Sequence, residues 1–203
     1  MDPITTKITD DEMDDMINHC KYITECVSNK NKDENSLSYL VDSIVLSQSD
    51  CIKLGTGFEK LLAEIVTKYT NYSNIKPKNE KGNKEKDHLF MDETHKIIYY
   101  AELKANLNLD TEKSKSTYQK CQQIVNELQD MFTGYTIKWC LLGYRYTSKE
   151  KMSKVINSKY SEIKDNVFGI NDYLQMLCIP YRFTEEKYKD YINKIAVKMF
   201  SNS

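Results

Sequence analysis

Hydrophobic residues recur three or four positions apart along several stretches of the chain, which is the spacing of one buried helix face. Between Gly55 and Tyr69 this pattern predicts an amphipathic helix that buries Phe58, Leu61, Leu62, Ile65, Val66 and Tyr69. It also predicts a helix from Asp10 to Ile23 and another from Leu37 to Ser47. Nearer the C-terminus it predicts a helical segment around residues 152–156, one capped by Asn171 or Asp172, and a final helix from about Thr184 to Phe200.

A hairpin is predicted over residues 87–104, with its turn at Asp92–His95. Successive side chains of a strand point to opposite faces, so one face of the second arm is apolar throughout: Ile97, Tyr99, Ala101 and Leu103. The opposite face begins with Ile98 and Tyr100 and ends with Glu102 and Lys104. An acid and a base therefore point toward one place, and antiparallel pairing brings Asp87 of the first arm close to Glu102.

A helix and a further strand are predicted after the hairpin. Beyond the polar residues 106–110, an apolar stripe predicts a helix that ends at Gly134. Its buried face comprises Tyr118, Cys121, Ile124, Val125, Leu128, Met131 and Phe132. Residues 135–146 are largely apolar and aromatic, which predicts a buried strand. A strand, a helix and a strand in this order form a crossover between parallel strands.

Asp87 and Glu102 are candidate metal ligands. Mg²⁺ is typically held by one or two carboxylates plus a substrate phosphate, and the backbone carbonyl of Leu103 can add a third oxygen. A metal ion so placed activates water and neutralises charge on a phosphoryl group, while Lys104 can orient the nucleophile or stabilise the transition state. The chemistry indicated is phosphodiester hydrolysis, although acids at this spacing also occur by chance in a chain with 29% charged residues.

Asp87 followed by Glu102-Leu103-Lys104 resembles the metal-binding signature of the PD-(D/E)xK nuclease superfamily, to which most type II restriction endonucleases belong. Lys86 stands where the signature has a proline, which many members lack. The predicted elements also resemble the superfamily core of a helix, three antiparallel strands, a second helix and a parallel fourth strand, with a weak first strand between Asn71 and Lys86. The resemblance implies an α/β fold with a restriction-endonuclease-like core: a central mixed β-sheet flanked by helices, with extra N- and C-terminal helices.

The resemblance further implies one nuclease domain over residues 1–203. Its core would span about 53–146, with a helical N-terminal extension over 1–50 and a mainly helical C-terminal region over 149–203. In the superfamily an acid on the first core helix points into the site, which makes Glu59 a third candidate for catalysis and metal binding. Glu59 is predicted in the first turn of this helix, so the alternative is that its carboxylate only interacts favourably with the helix dipole.

The function implied by the resemblance is that of a type II restriction endonuclease, which hydrolyses double-stranded DNA at specific sequences with Mg²⁺ and leaves 5′-phosphates. Mn²⁺ can substitute for Mg²⁺ in such enzymes. The resemblance also implies a homodimer and a cognate DNA methyltransferase. Two alternatives remain: a structure-specific DNA repair or junction nuclease of the same fold, and a catalytically inactive DNA-binding module. The joint presence of Asp87, Glu102 and Lys104 disfavours the inactive binding module. Such a module has no use for two carboxylates near a DNA phosphate, because without a metal ion they repel it.

Candidate DNA contacts lie mainly in the polar stretch that leaves the catalytic strand, where amides suit adenine edges and lysines suit phosphates. They are Asn106, Asn108, Lys113, Ser114, Lys115, Ser116, Tyr118, Gln119 and Gln122. Lys84 and Lys86 belong to a basic run before Asp87 and are further candidates for phosphate contacts. Each of these residues can equally be a solvated surface residue.

Composition limits the remaining choices. The net charge of −1 permits DNA binding only if basic residues are concentrated, and acids near the N-terminus can offset such a patch. The chain has no phosphate loop, nucleophile elbow or HExxH motif. Its six cysteines form no Cys-x-x-Cys pair, which favours reduced thiols and a cytoplasmic location. No signal peptide or membrane span is predicted.

Overall fold

A computed structural model describes residues 7–20, 48–77 and 86–200 of the chain. Within them the helices are α1 Asp10–His19, α2 Gln48–Tyr69, α3 Thr111–Met131, α4 Ser153–Lys159, α5 Ile170–Met176 and α6 Glu185–Phe200. Short 3₁₀ helices span Lys149–Met152 and Ser161–Asn166. The strands are β1 Ser73–Asn74, β2 His88–Asp92, β3 Ile97–Lys104, β4 Thr136–Gly143 and β5 Val167–Phe168. The predicted helix Leu37–Ser47 and the end of the first predicted helix at Ile23 lie outside the described residues.

The described residues form an α/β fold with one five-stranded mixed sheet in the order β1-β2-β3-β4-β5. The first two pairings are antiparallel, and β3–β4 and β4–β5 are parallel. The hairpin is confirmed, with His88 opposite Ala101 and Asp92 opposite Ile97. The crossover through α3 is also confirmed, because it joins the parallel strands β3 and β4.

Helices cover both faces of the sheet, so both faces of β3 are buried. On one side, Ile98 and Tyr100 pack with Ile124 and Leu128 of α3. On the other side, the cluster that contains Tyr99, Ala101 and Leu103 includes the buried faces of α2 and α6. Glu102 and Lys104 continue the face that carries Ile98 and Tyr100, which is the α3 side. The polar end of β3 therefore enters the protein beside α3.

The helix α2 begins at Gln48, before the predicted start at Gly55. Cys51 and Leu54 are buried ahead of Gly55, and burial of this extended apolar face outweighs the low helix propensity of glycine. Gly55 allows close packing, since a Cβ there would meet the Tyr144 hydroxyl at 2.8 Å and the tyrosine side chain would have to shift. Glu59 thus lies well inside the helix, and its predicted position in the first turn was wrong.

Strand β4 is only partly buried, unlike the wholly buried strand predicted. Residues 136–139 alternate between exposed and half-buried positions, and full burial begins at Cys140. The reason is the shortness of β5, which pairs only with Leu141 and Leu142 and leaves the beginning of β4 at the sheet edge. Burial of Cys121 and Cys140 is confirmed, and both are free thiols.

The helix α5 begins at Ile170 with Gly169 as its N-cap, so neither predicted capping residue occupies the cap. Asp172 lies in the first turn, where its carboxylate accepts hydrogen bonds from the Gly169 and Lys149 N–H groups at 2.8 and 2.7 Å. Asn171 points inward instead. Among the described residues, no helix is both long and apolar enough to cross a membrane.

The Asn171 side chain joins α5 to the segment before α6 and gives a test of this packing. Its amide donates to the Phe183 carbonyl at 2.9 Å, and its oxygen accepts from the Phe183 N–H at 2.8 Å. Asn171→Ala leaves both buried backbone groups unpaired, so we expect the free energy of unfolding to fall by about 2 kcal/mol in urea titrations. The exposed Asn157→Ala change should stay within about 0.5 kcal/mol, and an equal loss in both variants would contradict this role of Asn171.

Candidate active site

Asp87 lies directly before β2 and is fixed against the end of β3. Its Oδ2 accepts a hydrogen bond from the Leu103 backbone N–H at 2.6 Å. Pairing between β2 and β3 ends at His88 and Ala101, so Leu103 lies beyond the paired part of β2. The carboxylate therefore takes the position that a strand partner would otherwise occupy, and it lies beside the Glu102-Leu103-Lys104 segment.

The backbone carbonyl of Leu103 faces the same side of the strand as Asp87. The Lys104 carbonyl accepts from the Tyr144 N–H at 3.1 Å, which is on the β4 side. Adjacent residues of a strand direct their backbone groups to opposite sides. The N–H and C=O of Leu103 consequently face the β2 side, where a third oxygen ligand would be needed.

Glu102 is 1% exposed, and its carboxylate is surrounded by donors. Oε1 accepts from the Lys104 Nζ at 2.7 Å and the Lys120 Nζ at 2.9 Å. Oε2 accepts from the Lys120 Nζ at 2.8 Å and the Tyr100 hydroxyl at 3.3 Å. A buried carboxylate is stable only when it is paired and hydrogen-bonded, and the two lysines meet that requirement.

The charges of the site act on one another. Burial and the negative charge of Glu102 raise the pKa of Asp87 to about 6, although the Leu103 N–H and the Lys104 ammonium oppose the rise. Burial opposes the charged form of Lys104, but Glu102 and Asp87 outweigh it, so the pKa of Lys104 is raised. At neutral pH Asp87 is therefore largely ionised, and it lies beside a protonated Lys104.

Glu59 influences the site through its charge, and its carboxylate is hydrogen-bonded to a residue outside the site. Its carboxylate accepts from the Lys76 Nζ at 2.7 Å, and its negative charge adds only slightly to the rise in the pKa of Asp87. Its backbone carbonyl accepts from the His88 Nε2 at 2.8 Å. Asp87, Glu102, Leu103 and Lys104 are thus brought together, whereas Glu59 lies at the margin and is paired with another residue.

His88 holds the start of β2 in place. Its Nε2 faces a carbonyl and must carry the proton, so its Nδ1 accepts from the Tyr173 hydroxyl at 2.7 Å. Burial lowers the pKa of His88 to about 4, so the ring is neutral at pH 7. Because His88 follows Asp87 in the chain, these two bonds fix the backbone that carries the Asp87 carboxylate.

The donor set fits a hard divalent cation. The described residues include no group of three His, Cys, Asp or Glu side chains that could hold a metal ion. Two carboxylates and a backbone carbonyl are a smaller set, and it is the one from which Mg²⁺ is commonly bound together with a substrate phosphate. The repulsion that raises the pKa of Asp87 is also what a cation between the two acids would relieve.

Several of the candidate DNA contacts are held within the protein. Ser114 is 1% exposed, and its hydroxyl donates to the carbonyls of Asp110 and Thr111. The buried Tyr118 donates to Glu162 at 3.0 Å. Asn108 accepts from the Lys159 Nζ at 2.8 Å. Ser114 and Tyr118 are therefore positioned to stabilise α3 rather than to meet a ligand.

The other candidates are accessible. Lys113, Lys115, Ser116, Gln119 and Gln122 are exposed on α3, and Asn106 and Lys86 are half-buried. The Asn106 side chain accepts from the Asn108 N–H at 2.8 Å, and Lys113 pairs with Asp110 at 3.2 Å. Lys84 lies outside the described residues. The exposed members share one helix, whose Lys120 reaches the candidate site.

Sequence reasoning missed Lys120, Tyr100 and His88. The alternation along β3 predicts only that Tyr100 is buried. Burial raises the pKa of Tyr100, so its hydroxyl stays protonated as a donor. Lys120 gave only one signal, a charged residue beside the buried Cys121 at the flank of an apolar stripe. The rotation of α3 about its axis decides which atom Lys120 contacts, and hydrophobic periodicity does not predict that rotation.

The raised pKa of Asp87 predicts a pH-dependent stability difference. Between about pH 4 and 6 the unfolded chain loses this proton before the folded one does, so wild-type stability falls as pH rises through that window. Asp87→Asn keeps an acceptor for Leu103 and removes the charge. In chelator at pH 7.5 we expect it to raise the free energy of unfolding by about 1–3 kcal/mol, with little difference near pH 4.

Urea titrations at both pH values measure this difference. The control is Asp165→Asn, which removes one charge from an exposed residue of a 3₁₀ helix. A gain of the same size at pH 4 and pH 7.5 would show that the effect does not come from the ionisation of Asp87.

No protein family, curated protein or solved structure compared with this chain gives a significant match. The inference of function therefore depends on the side chains of the candidate site and on the elements that carry them.

Proposed function

We propose that this protein is a magnesium-dependent endonuclease that hydrolyses phosphodiester bonds of double-stranded DNA, in the manner of a type II restriction enzyme. The observation that carries the proposal is the 2.6 Å hydrogen bond from the Leu103 N–H to Asp87, which joins this acid to the Glu102-Leu103-Lys104 segment. The order of elements adds support, because α2, the antiparallel strands β1 to β3, α3 and the parallel β4 follow the order of the restriction-endonuclease-like core.

Asp87, Glu102 and the Leu103 carbonyl would hold Mg²⁺, with Glu59 adding negative charge nearby. The bound ion would supply water activation and neutralise charge on the phosphoryl group. Lys104 stays protonated, because its pKa is raised, so it donates hydrogen bonds to the attacking water or to the phosphate and does not accept a proton. His88 and Tyr173 keep Asp87 in position through the start of β2.

The proposed DNA surface comprises the exposed candidates of α3 together with Asn106 and Lys86. Lysines there would contact phosphates, and Gln119 and Gln122 would contact base edges. Cutting both strands of a symmetric site requires two copies of the site, so the proposal includes a homodimer. A nuclease that cuts specific sequences also requires protection of its own genome, hence a cognate methyltransferase.

Cleavage of plasmid and long natural DNA tests the proposal. With Mg²⁺ or Mn²⁺ we expect discrete fragments with 5′-phosphates, and with chelator no cleavage. Glu102→Gln removes a metal ligand and should lower the cleavage rate by at least roughly 100-fold. The matched control is Glu93→Gln, which removes the same charge from an exposed turn residue and should cut as wild type does.

The substrates separate the alternatives. Preference for branched or damaged DNA over intact plasmid would favour the repair or junction nuclease. Binding of DNA without cleavage of any substrate, in the presence of either metal, would contradict the enzymatic proposal and favour the binding module. Cleavage unaffected by Glu102→Gln would place the chemistry elsewhere in the molecule.

A further inference from the structure

Lys120 donates hydrogen bonds to the Glu102 carboxylate, which is one of the groups that the proposed metal ion would need. It extends from α3 to β3 and contacts both oxygens of Glu102, at 2.9 and 2.8 Å. A carboxylate offers about four lone-pair positions. Lys104, Lys120 and Tyr100 together make four contacts with the two oxygens. A metal ion can therefore bind Glu102 only if one of these donors withdraws.

The charges point to the same conflict. Asp87 and Glu102 bring two negative charges, and Lys104 and Lys120 bring two positive charges, so the four side chains balance one another. A divalent cation added to this group would face two ammonium ions around one carboxylate. A metal ion and an ammonium ion bound to the same partly buried carboxylate repel each other strongly. Withdrawal of one lysine would relieve part of that repulsion.

Lys120 is the donor whose withdrawal frees the most of Glu102. It releases one position on each oxygen, whereas Lys104 contacts Oε1 only. Lys104 also interacts with Asp87, so it serves both acids. The Lys120 side chain is 28% exposed and the Lys104 side chain 35%, so both ammonium groups can reach solvent and the contacts with Glu102 decide between them.

We propose that the Lys120 ammonium is a displaceable internal cation, which neutralises Glu102 in the metal-free protein and leaves it when a divalent cation binds. This inference rests on the proposed function, because it assumes that Asp87 and Glu102 are the metal ligands. Displacement turns Lys120 into an unpaired cation beside the exposed face of α3, where a DNA phosphate would be its natural new partner. Metal binding would thereby promote DNA binding through one side chain.

Titration of Mn²⁺ alone into the purified protein, followed by electron paramagnetic resonance of the free ion, tests the displacement without any cleavage assay. Lys120→Met keeps a side chain of similar length and removes the competing charge, so we expect at least tenfold tighter Mn²⁺ binding, or about 1.4 kcal/mol. The control Lys154→Met removes one charge from an exposed position on α4 and should leave the affinity unchanged. Glu102→Gln should abolish binding at this site.

A second measurement uses the wild-type protein and does not depend on how the variant folds. Reductive methylation followed by mass spectrometry reports the accessibility of each lysine amine. Mn²⁺ should raise the modification rate of Lys120 severalfold and leave that of Lys154 unchanged. A rate for Lys120 that is unchanged or lower in saturating Mn²⁺ would overturn the displacement.

The outcomes distinguish the two levels of inference. If Glu102→Gln abolishes Mn²⁺ binding but Lys120→Met leaves it equal or weaker, the metal site stands and Lys120 is only a structural partner of Glu102. If wild type and Lys120→Met both fail to bind Mn²⁺, the proposed metal site itself is wrong, and the displacement falls with it.

Discussion

The buried carboxylate of Glu102 is the constraint on which the candidate site depends. A carboxylate that is 1% exposed needs nearby cations and donors, and here they come from two separate elements. Lys104 is supplied by the same strand, but Lys120 must be brought across by α3. The apolar packing of Ile124 and Leu128 against β3 fixes the helix that carries Lys120. The crossover is therefore part of the electrostatics of the site as well as of the fold.

The position of Asp87 depends on a different feature, the point at which β2 stops pairing with β3. One more paired residue on β2 would occupy the Leu103 N–H and exclude the carboxylate. His88 holds this boundary with two hydrogen bonds, to Tyr173 of α5 and to the Glu59 carbonyl of α2. The elements β2, α2 and α5 together fix the position of Asp87. The neutral, buried His88 lies next to Asp87 because it connects these three elements.

Much of this arrangement could be predicted from the sequence, because it depends on local periodicity. Alternation along β3 put Glu102 and Lys104 on one face, and the hairpin put Asp87 beside them. The predicted stripe of α2 was confirmed except at Tyr69, which is half-buried. The crossover helix α3 was also confirmed, but it ends at Met131 instead of Gly134, and Met131 is 70% exposed and not buried as predicted. What could not be predicted is how elements rotate and end against one another. Lys120, the pairing of Glu59 with Lys76, and the two-residue strand β5 all depend on such tertiary detail.

The charge of Asp87 lowers the stability of the folded chain, although the same charge is what the proposed metal site needs. The lysines balance Glu102, but Asp87 receives a neutral backbone N–H and lies close enough to Glu102 for its pKa to rise. Without a bound cation, ionised Asp87 therefore destabilises the folded chain at neutral pH. An acid that served only the fold would gain more from a position in solvent or beside a lysine of its own. The proposed divalent cation would offset this cost, because it would lie against both carboxylates and relieve their repulsion.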